Sequence, residues 1–560
     1  MNDQNSWFVD FRKSEHYSFL QKKPIAYFSV EYSLSDLLPT YAGGLGVLAG
    51  DYIRELGDQK IPSVAVGLFY QNKYGVQDIP HAKQSSVVPL SPEEQGLQPV
   101  LDFDKKPILV EVPIEDHQVF VKAWVWQNNS IPVYLLDTDV EENSHADRQI
   151  VYQLYDADKE TRLKQEMILG IGGFRLLEKL NINPSIYHMN EGHSAMLYFE
   201  IIRHEMQKRK IGFKDAITLS THHVVFTNHT LVASGNEIFS NELLTFLLSR
   251  YAGQLEVTID DILELGTIQD SNSFSMSLLS LKLAGKINAV SVLHAKEAAK
   301  SWVDYSIESV TNGIHVASWD KTPKNNLTLS HRENKKTLLE FLKKETGQVW
   351  GENELLIGWA RRMVRYKRPL SVLGDINRLK LLAGEKTPIR VVMGGIAHQS
   401  DDEGREMVAQ IKDIMKNQLP NNAVYLDNYN VTAAKLLTAG CDIWLNTPVI
   451  GSEACGTSGM KAALNGTLPM STKDGWVYEV NISEIGWDID SDSVEKSIQD
   501  VLQYNILPLY YSEDKSKWEV LMKNARNLIL NSFSTTRMLK QYFEKLYLPV
   551  IVSSQAHYSL

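Results

Sequence analysis

A chain of 560 residues is too long for one hydrophobic core, so two or more domains are expected. With 43% hydrophobic and 22% charged residues it reads as globular, and a net charge of −11 argues against a general nucleic-acid binder, so any anionic substrate needs a local basic cluster. The 2 cysteines are too few for a disulfide framework. The polar N-terminus lacks a signal-peptide core, and no apolar run reaches a membrane span, so a cytoplasmic protein with no membrane partner is expected.

In chain order, short apolar runs alternate with helical patterns. Ile25–Glu31, Ser63–Leu68, Ile108–Val112, Ile131–Leu136, Ser185–Met189 and Ala216–Ser220 read as strands, with amphipathic stretches such as Asp51–Gln59 and Lys159–Lys179 between several of them. After a polar segment, Thr322–Lys336, a second set follows: Leu355–Trp359, Ile389–Met393, Ala423–Leu426 and Asp442–Leu445. The stretch Ser516–Leu548 reads as largely helical. Strand and helix in alternation imply an α/β fold with parallel sheets covered on both faces, here two Rossmann-like domains facing a cleft. The expected domains are 1–335, 336–515 and a helical tail, 516–560.

Three stretches carry chemistry. Tyr41–Asp51 follows a strand-like run and opens a helix, so Gly43, Gly44 and Gly46 offer backbone N–H groups at a helix N-terminus, where anions bind. Arg361, Arg362, Arg365, Lys367 and Arg368 follow the apolar run Leu355–Trp359 and offer bidentate and point-charge contacts to phosphate; a solvated basic face is the plainer reading. In Glu453-Ala-Cys-Gly-Thr-Ser-Gly-Met-Lys-Ala-Ala-Leu-Asn-Gly466, Lys461 sits just inside a glycine-rich loop that enters a helix. A lysine so placed can form a Schiff base with a carbonyl cofactor while the loop binds that cofactor's phosphate, although the pattern also suits an ordinary connection whose lysine faces water. His188, His193, His222, His223 and His229 lack the i,i+4 pairing of a hydrolytic zinc site, so core or sugar-binding histidines are expected and no metal.

The lysine loop resembles the pyridoxal-phosphate attachment motif of the glycogen and α-glucan phosphorylases. Further stretches resemble that family in the same order: Ala26-Tyr-Phe-Ser-Val-Glu-Tyr32, Tyr41–Asp51, Asn190-Glu-Gly-His193, Phe226-Thr-Asn-His-Thr230, Val310-Thr-Asn-Gly-Ile-His315, Arg361–Arg368 and Asp427-Asn-Tyr-Asn430. The resemblance is to the compact bacterial and archaeal type and implies a glycosyltransferase-B architecture whose last helices cross back onto the first domain.

The same resemblance implies retaining transfer of a terminal glucosyl unit from an α-1,4-glucan to inorganic phosphate, giving α-D-glucose 1-phosphate, with pyridoxal 5'-phosphate as cofactor. It assigns Lys461, Gly44, Tyr429, Gly456, Thr457 and Lys367 to the cofactor, and Gly43, Gly44, Leu45, His193, His229, Asn312, Glu453, Cys455 and Gly456 to the substrates. His229, Arg362, Lys367 and Lys461 are the catalytic candidates, with the backbone carbonyl of His229 facing positive charge at the sugar's C1. Two positions depart from the family: Ile396 stands where a lysine is usual, and Cys455 replaces a serine. The alternatives are a nucleotide-sugar transferase of the glycogen-synthase type, which shares the Arg362/Lys367 pair, and a catalytically silent glucan-binding homologue. A homo-oligomer is compatible with each of these readings.

Overall fold

A computed structural model gives the structure of residues 2–38, 40–71, 91–128, 131–230, 237–322, 326–397 and 401–558. The chain forms two compact units. The first comprises Asn2–Val290, Glu297–Val310 and Leu539–Leu560; the second comprises Ser291–Lys296 and Thr311–Met538.

The first unit is built on a ten-stranded sheet. Seven strands run parallel in the order Ile307–Ser309, Lys286–Ala289, Val224–Asn228, Ile186–Asn190, Ile25–Ser29, Ser63–Leu68 and Ile131–Asp137, and the edge beyond them is antiparallel, led by His117–Asn128. Ile25–Ser29 and Ile186–Asn190 are neighbours although far apart in sequence, so the strand order reverses between them and a crevice opens outside their carboxyl ends. Both strands are buried along their whole length, which is why they read as continuous apolar runs.

The second unit holds a six-stranded parallel sheet in the order Ala423–Leu426, Ile389–Gly394, Leu355–Ala360, Ile443–Asn446, Leu468–Ser471 and Trp487–Asp488. Numbered along the chain this is 3-2-1-4-5-6, the dinucleotide-fold order, with its reversal between Leu355–Ala360 and Ile443–Asn446. Thus the α/β class with two Rossmann-like sheets holds.

One expectation about elements changes and two gain detail. Ala216–Ser220 is not a strand but the end of a helix, Phe213–Ser220; Phe213, Ala216, Ile217 and Ser220 share one helical face, and the strand follows at Val224–Asn228. Lys159–Lys179 is helical throughout but widens to a π-turn at Ile168–Gly172, where a Cβ on Gly170 would lie 2.5 Å from the backbone nitrogen of Leu197. The polar segment Thr322–Lys336 opens a 20-residue helix, Leu327–Thr346, capped by Asn326; residues 323–325 lie outside the described residues. The C-terminal stretch is helical, and from Leu539 onward it belongs to the first unit, where Phe543 packs on Trp7, Phe8 and Phe11.

Candidate functional site

In the second unit, Lys461 lies on the helix Thr457–Leu464, which begins after Gly456. Gly456 has φ 76°, the left-handed region, and a Cβ there would approach the Arg361 guanidinium and Glu453 to 3.3 Å, so glycine serves both the turn and the close approach. Lys461 does not face water: it is 6% exposed, and its Nζ stands 4.1 Å from the centroid of the Trp319 ring and 3.4 Å from Thr457 Oγ1. Asn465 fixes this pairing from behind by donating to the carbonyls of both Trp319 and Lys461 at 2.9 Å.

The basic turn leaves Leu355–Ala360 at the reversal point and meets the same loop. Arg361 is buried and holds Asn446 Oδ1 and Glu453 Oε1, the latter at 3.0 Å. Lys367 Nζ stands 3.5 Å from Glu453 Oε2, an ion pair too long for a good hydrogen bond. Burial depresses the Lys367 amine to about 7, Arg361 and Arg362 push it the same way, and Glu453 opposes them. Burial pushes the Glu453 carboxyl up, but Arg361, Lys367 and Arg362 outweigh it and hold it below its usual range. Arg362 is exposed, and no hydrogen bond or ion pair engages its guanidinium among the described residues. One arginine is therefore spent on assembling the site while its neighbour stays available.

Around this cluster, Tyr429 packs on the end of a strand, where a Cβ on Gly394 would come within 3.1 Å of its ring. Gly395 lies against the Arg361 carbonyl, and half-buried Ile396 accepts the Met363 N–H, so the position without the expected lysine borders the basic turn. Asn312 is 4% exposed with its side-chain Oδ1 unpartnered among the described residues, and burial raises the thiol of Cys455, which bonds the Asn312 main chain.

In the first unit, the loop after Ile25–Ser29 reaches Gly43, the N-cap of the helix Gly44–Asp58. Glu31 Oε2 takes the N–H groups of Ala42 (2.6 Å) and Gly43 (3.1 Å), and Tyr155 donates to its Oε1 at 2.8 Å. The N–H of Gly43 is thus already engaged, whereas Gly44 and Leu45 lie in the first turn, whose donors have no partner within the helix. A Cβ on Gly43 or Gly44 would meet nothing within 4 Å, whereas one on Gly46 would strike Tyr41 at 2.7 Å, so Gly46 is there for packing.

His193 is buried, and burial followed by the Arg162 charge lowers its pKa to about 3; its Nε2 lies 3.6 Å from Glu237 and its Nδ1 has no partner among the described residues. His229 is gripped twice, its Nε2 by Asn190 Oδ1 and its backbone N–H by Glu191 Oε2, each at 2.6 Å. Glu191 has φ 74° and ψ 174°, a region close to glycine-only that costs about 1–3 kcal/mol for a side-chain-bearing residue. Burial pushes its carboxyl up to about 7 against the lowering bonds from His229, Thr230 and Gly192. His188 is a core residue, bonded to Tyr547 and Thr227. Among the described residues, the one grouping close enough to hold a metal is Glu115, Asp116 and His117, which contains none of the histidines considered above.

The second unit therefore gathers Asn312, Arg362, Lys367, Tyr429, Glu453, Cys455, Gly456, Thr457 and Lys461, while the first gathers Gly43, Gly44, Leu45, His193 and His229. Trp319 had no signal of its own, and although Glu191 lies in the stretch Asn190-Glu-Gly-His193, nothing in the sequence marked its strained backbone or its hold on His229.

A family model described as carbohydrate phosphorylase matches residues 288–547. The chain is 35% identical to the maltodextrin phosphorylase of Thermococcus litoralis, over 98% of this chain and 72% of that protein. It is 32% identical to the glycogen phosphorylase of Mycobacterium tuberculosis, over 94% of this chain and 71% of that protein, and 30% identical to the glycogen phosphorylase of Aquifex aeolicus, over 96% and 87%. Relatives matched along nearly the whole length, together with a family model that takes in the basic turn and the lysine helix, place this chain in the carbohydrate phosphorylase family.

Proposed function

We propose that the protein is an α-1,4-glucan phosphorylase that moves a terminal glucosyl unit from a glycogen- or maltodextrin-like chain to inorganic phosphate, with retention, giving α-D-glucose 1-phosphate. The observation that carries this is the buried Lys461 on a helix whose leading Gly456 abuts the Arg361–Glu453–Lys367 ion pairs at the reversal point of the second sheet. The names of the relatives support it and do not favour the nucleotide-sugar transferase reading.

The residues fit pyridoxal 5'-phosphate. Lys461 offers a water-shielded amine over the Trp319 ring, Gly456 turns the chain into the helix start with Arg361 and Glu453 close by, and Tyr429 offers a ring at the end of a strand. Lys461, Gly44, Tyr429, Gly456, Thr457 and Lys367 would hold the cofactor, which when bound supplies a phosphate group able to exchange a proton with inorganic phosphate.

The chain's own residues divide the remaining work. The Arg362 guanidinium binds inorganic phosphate by charge-assisted hydrogen bonds, and Lys367, poised near neutrality, gains its proton as the anion arrives. Asn312 presents an unpartnered Oδ1 to a sugar hydroxyl, Glu453 and Cys455 line the same turn, and His193 contributes a neutral ring. Asn190 holds the His229 ring while the His229 carbonyl faces the charge that develops at C1. Hydrolysis by a carboxylate pair is a poor fit: Glu453 is held ionised by its cationic neighbours, and Glu191 is turned onto the backbone of His229. A cytoplasmic enzyme is consistent with the composition, and among the described residues no helix is long and apolar enough to cross a membrane.

The test is incubation of purified protein with maltodextrin and phosphate, with its absorbance spectrum recorded. Glucose 1-phosphate and a band beyond the aromatic absorption are expected; sugar transfer from a nucleotide donor by a colourless protein would reject the proposal.

A further inference from the structure

The backbone at Glu191 lies in a conformation close to glycine-only. The other described side-chain-bearing residues with positive φ lie between 49° and 62°, whereas Glu191 combines φ 74° with ψ 174°. Its own N–H still pairs with the Thr227 carbonyl at 2.9 Å, so the chain keeps register with the neighbouring strand before turning into Gly192–Ser194. A glycine would make that turn without penalty. What glutamate adds is a carboxylate folded back onto the next strand's end, where Oε2 accepts the His229 N–H at 2.6 Å and the Thr230 hydroxyl at 3.4 Å.

The residue before it acts on the same target. Asn190 Nδ2 donates to Ser29 Oγ at 3.0 Å, and Ser29 Oγ donates onward to the Glu31 carbonyl at 2.9 Å, which fixes the amide so that its oxygen faces His229. Nε2 of His229 therefore carries the hydrogen in its 2.6 Å bond to Asn190. Consecutive residues at one strand end thus clamp the ring and the peptide of His229, and one of them occupies a glycine conformation to do so.

We propose that Glu191 is a positioning residue for glucosyl transfer: its carboxylate orients the His229 peptide, and with it the carbonyl and ring presented to the sugar, and the strained backbone is kept for that purpose. This rests on the reading of His229 given above. Positioning of a group that acts on developing charge affects turnover more than ground-state affinity.

The test uses the full chain with its cofactor and two variants. Glu191→Gly relieves the backbone and removes the clamp, whereas Glu191→Gln keeps a carbonyl acceptor of the same reach. For Glu191→Gly the expected result is a thermal midpoint equal to or above wild type, kcat for phosphorolysis lower by about tenfold or more, and KM for maltodextrin within about threefold. Affinity for a planar sugar lactone, a mimic of the flattened transition state, should fall with kcat while affinity for glucose holds. Glu191→Gln should recover most of the turnover. Unchanged kcat in Glu191→Gly overturns the proposal, as does a midpoint that falls in step with kcat, or a Glu191→Gln variant as impaired as the glycine. An inactive wild type would instead reject the phosphorylase reading itself; an active wild type with an unaffected glycine variant rejects only the role of Glu191.

Discussion

The two reversal points are held together differently. In the second unit the crevice residues are charged and already paired, with Arg361 and Lys367 on one glutamate and Lys461 over an indole ring. In the first unit burial and hydrogen bonds do the holding: burial, then the Arg162 charge, lowers the pKa of His193 to about 3, and His229 is fixed by an amide and a carboxylate. A strand order that reverses makes a place for a ligand, but the side chains at the strand ends decide which ligand. The cations of the second unit suit phosphate groups, while groups suited to sugar hydroxyls stand in both units, Asn312 in the second and His193 and His229 in the first.

Glu453 is where the charged region is easiest to break. Glu453→Ala would leave Arg361 buried without its carboxylate, and removing one partner of a buried pair costs about 3–5 kcal/mol, so the calorimetric unfolding midpoint should drop clearly. Asn190 carries no charge and its side chain makes hydrogen bonds to His229 and Ser29, so Asn190→Ala should move the midpoint less. Next in size, Arg362→Ala and Lys367→Ala should each weaken phosphate use by about 1.5–3 kcal/mol, roughly 10- to 150-fold in phosphorolysis kinetics, with circular dichroism unchanged. Near-normal kinetics in both would remove the anion role from the basic turn.

These contrasts were unevenly legible in the sequence. Fully buried parallel strands appear as short unbroken apolar runs, so Leu355–Ala360 and Ile443–Asn446 were located almost to the residue. The same kind of run misled at Ala216–Ser220, because over five residues an apolar stretch fits a strand or a buried helix face equally well. Charges and glycines marked Lys461 and the basic turn openly. Glu191 stayed hidden because positive φ is announced by glycine or asparagine, not by glutamate, and Trp319 because only tertiary packing brings its ring under Lys461.

A smaller effect separates the regions by pH. The Lys367 amine, lowered to about 7, is protonated below that value and neutral above it, so affinity for sulfate, an anion of constant charge, should fall as pH rises through about 7. Calorimetric titration would read this, and Lys367→Met should flatten the profile; a flat wild-type profile would contradict it. The smallest expected change is at Ile396, half-buried beside the basic turn: Ile396→Lys should lower the half-saturating phosphate concentration a few-fold, a gain of about 1 kcal/mol for an added partly exposed charge contact. An unmoved phosphate dependence would mean that another group already supplies the charge.

The most direct test of the account is chemical labelling of Lys461. Borohydride reduction of the purified protein followed by peptide mass spectrometry should place a pyridoxyl mass on the peptide containing Gly459-Met-Lys461. Label on another lysine, or on none, would contradict the assignment of this buried amine as the cofactor's anchor.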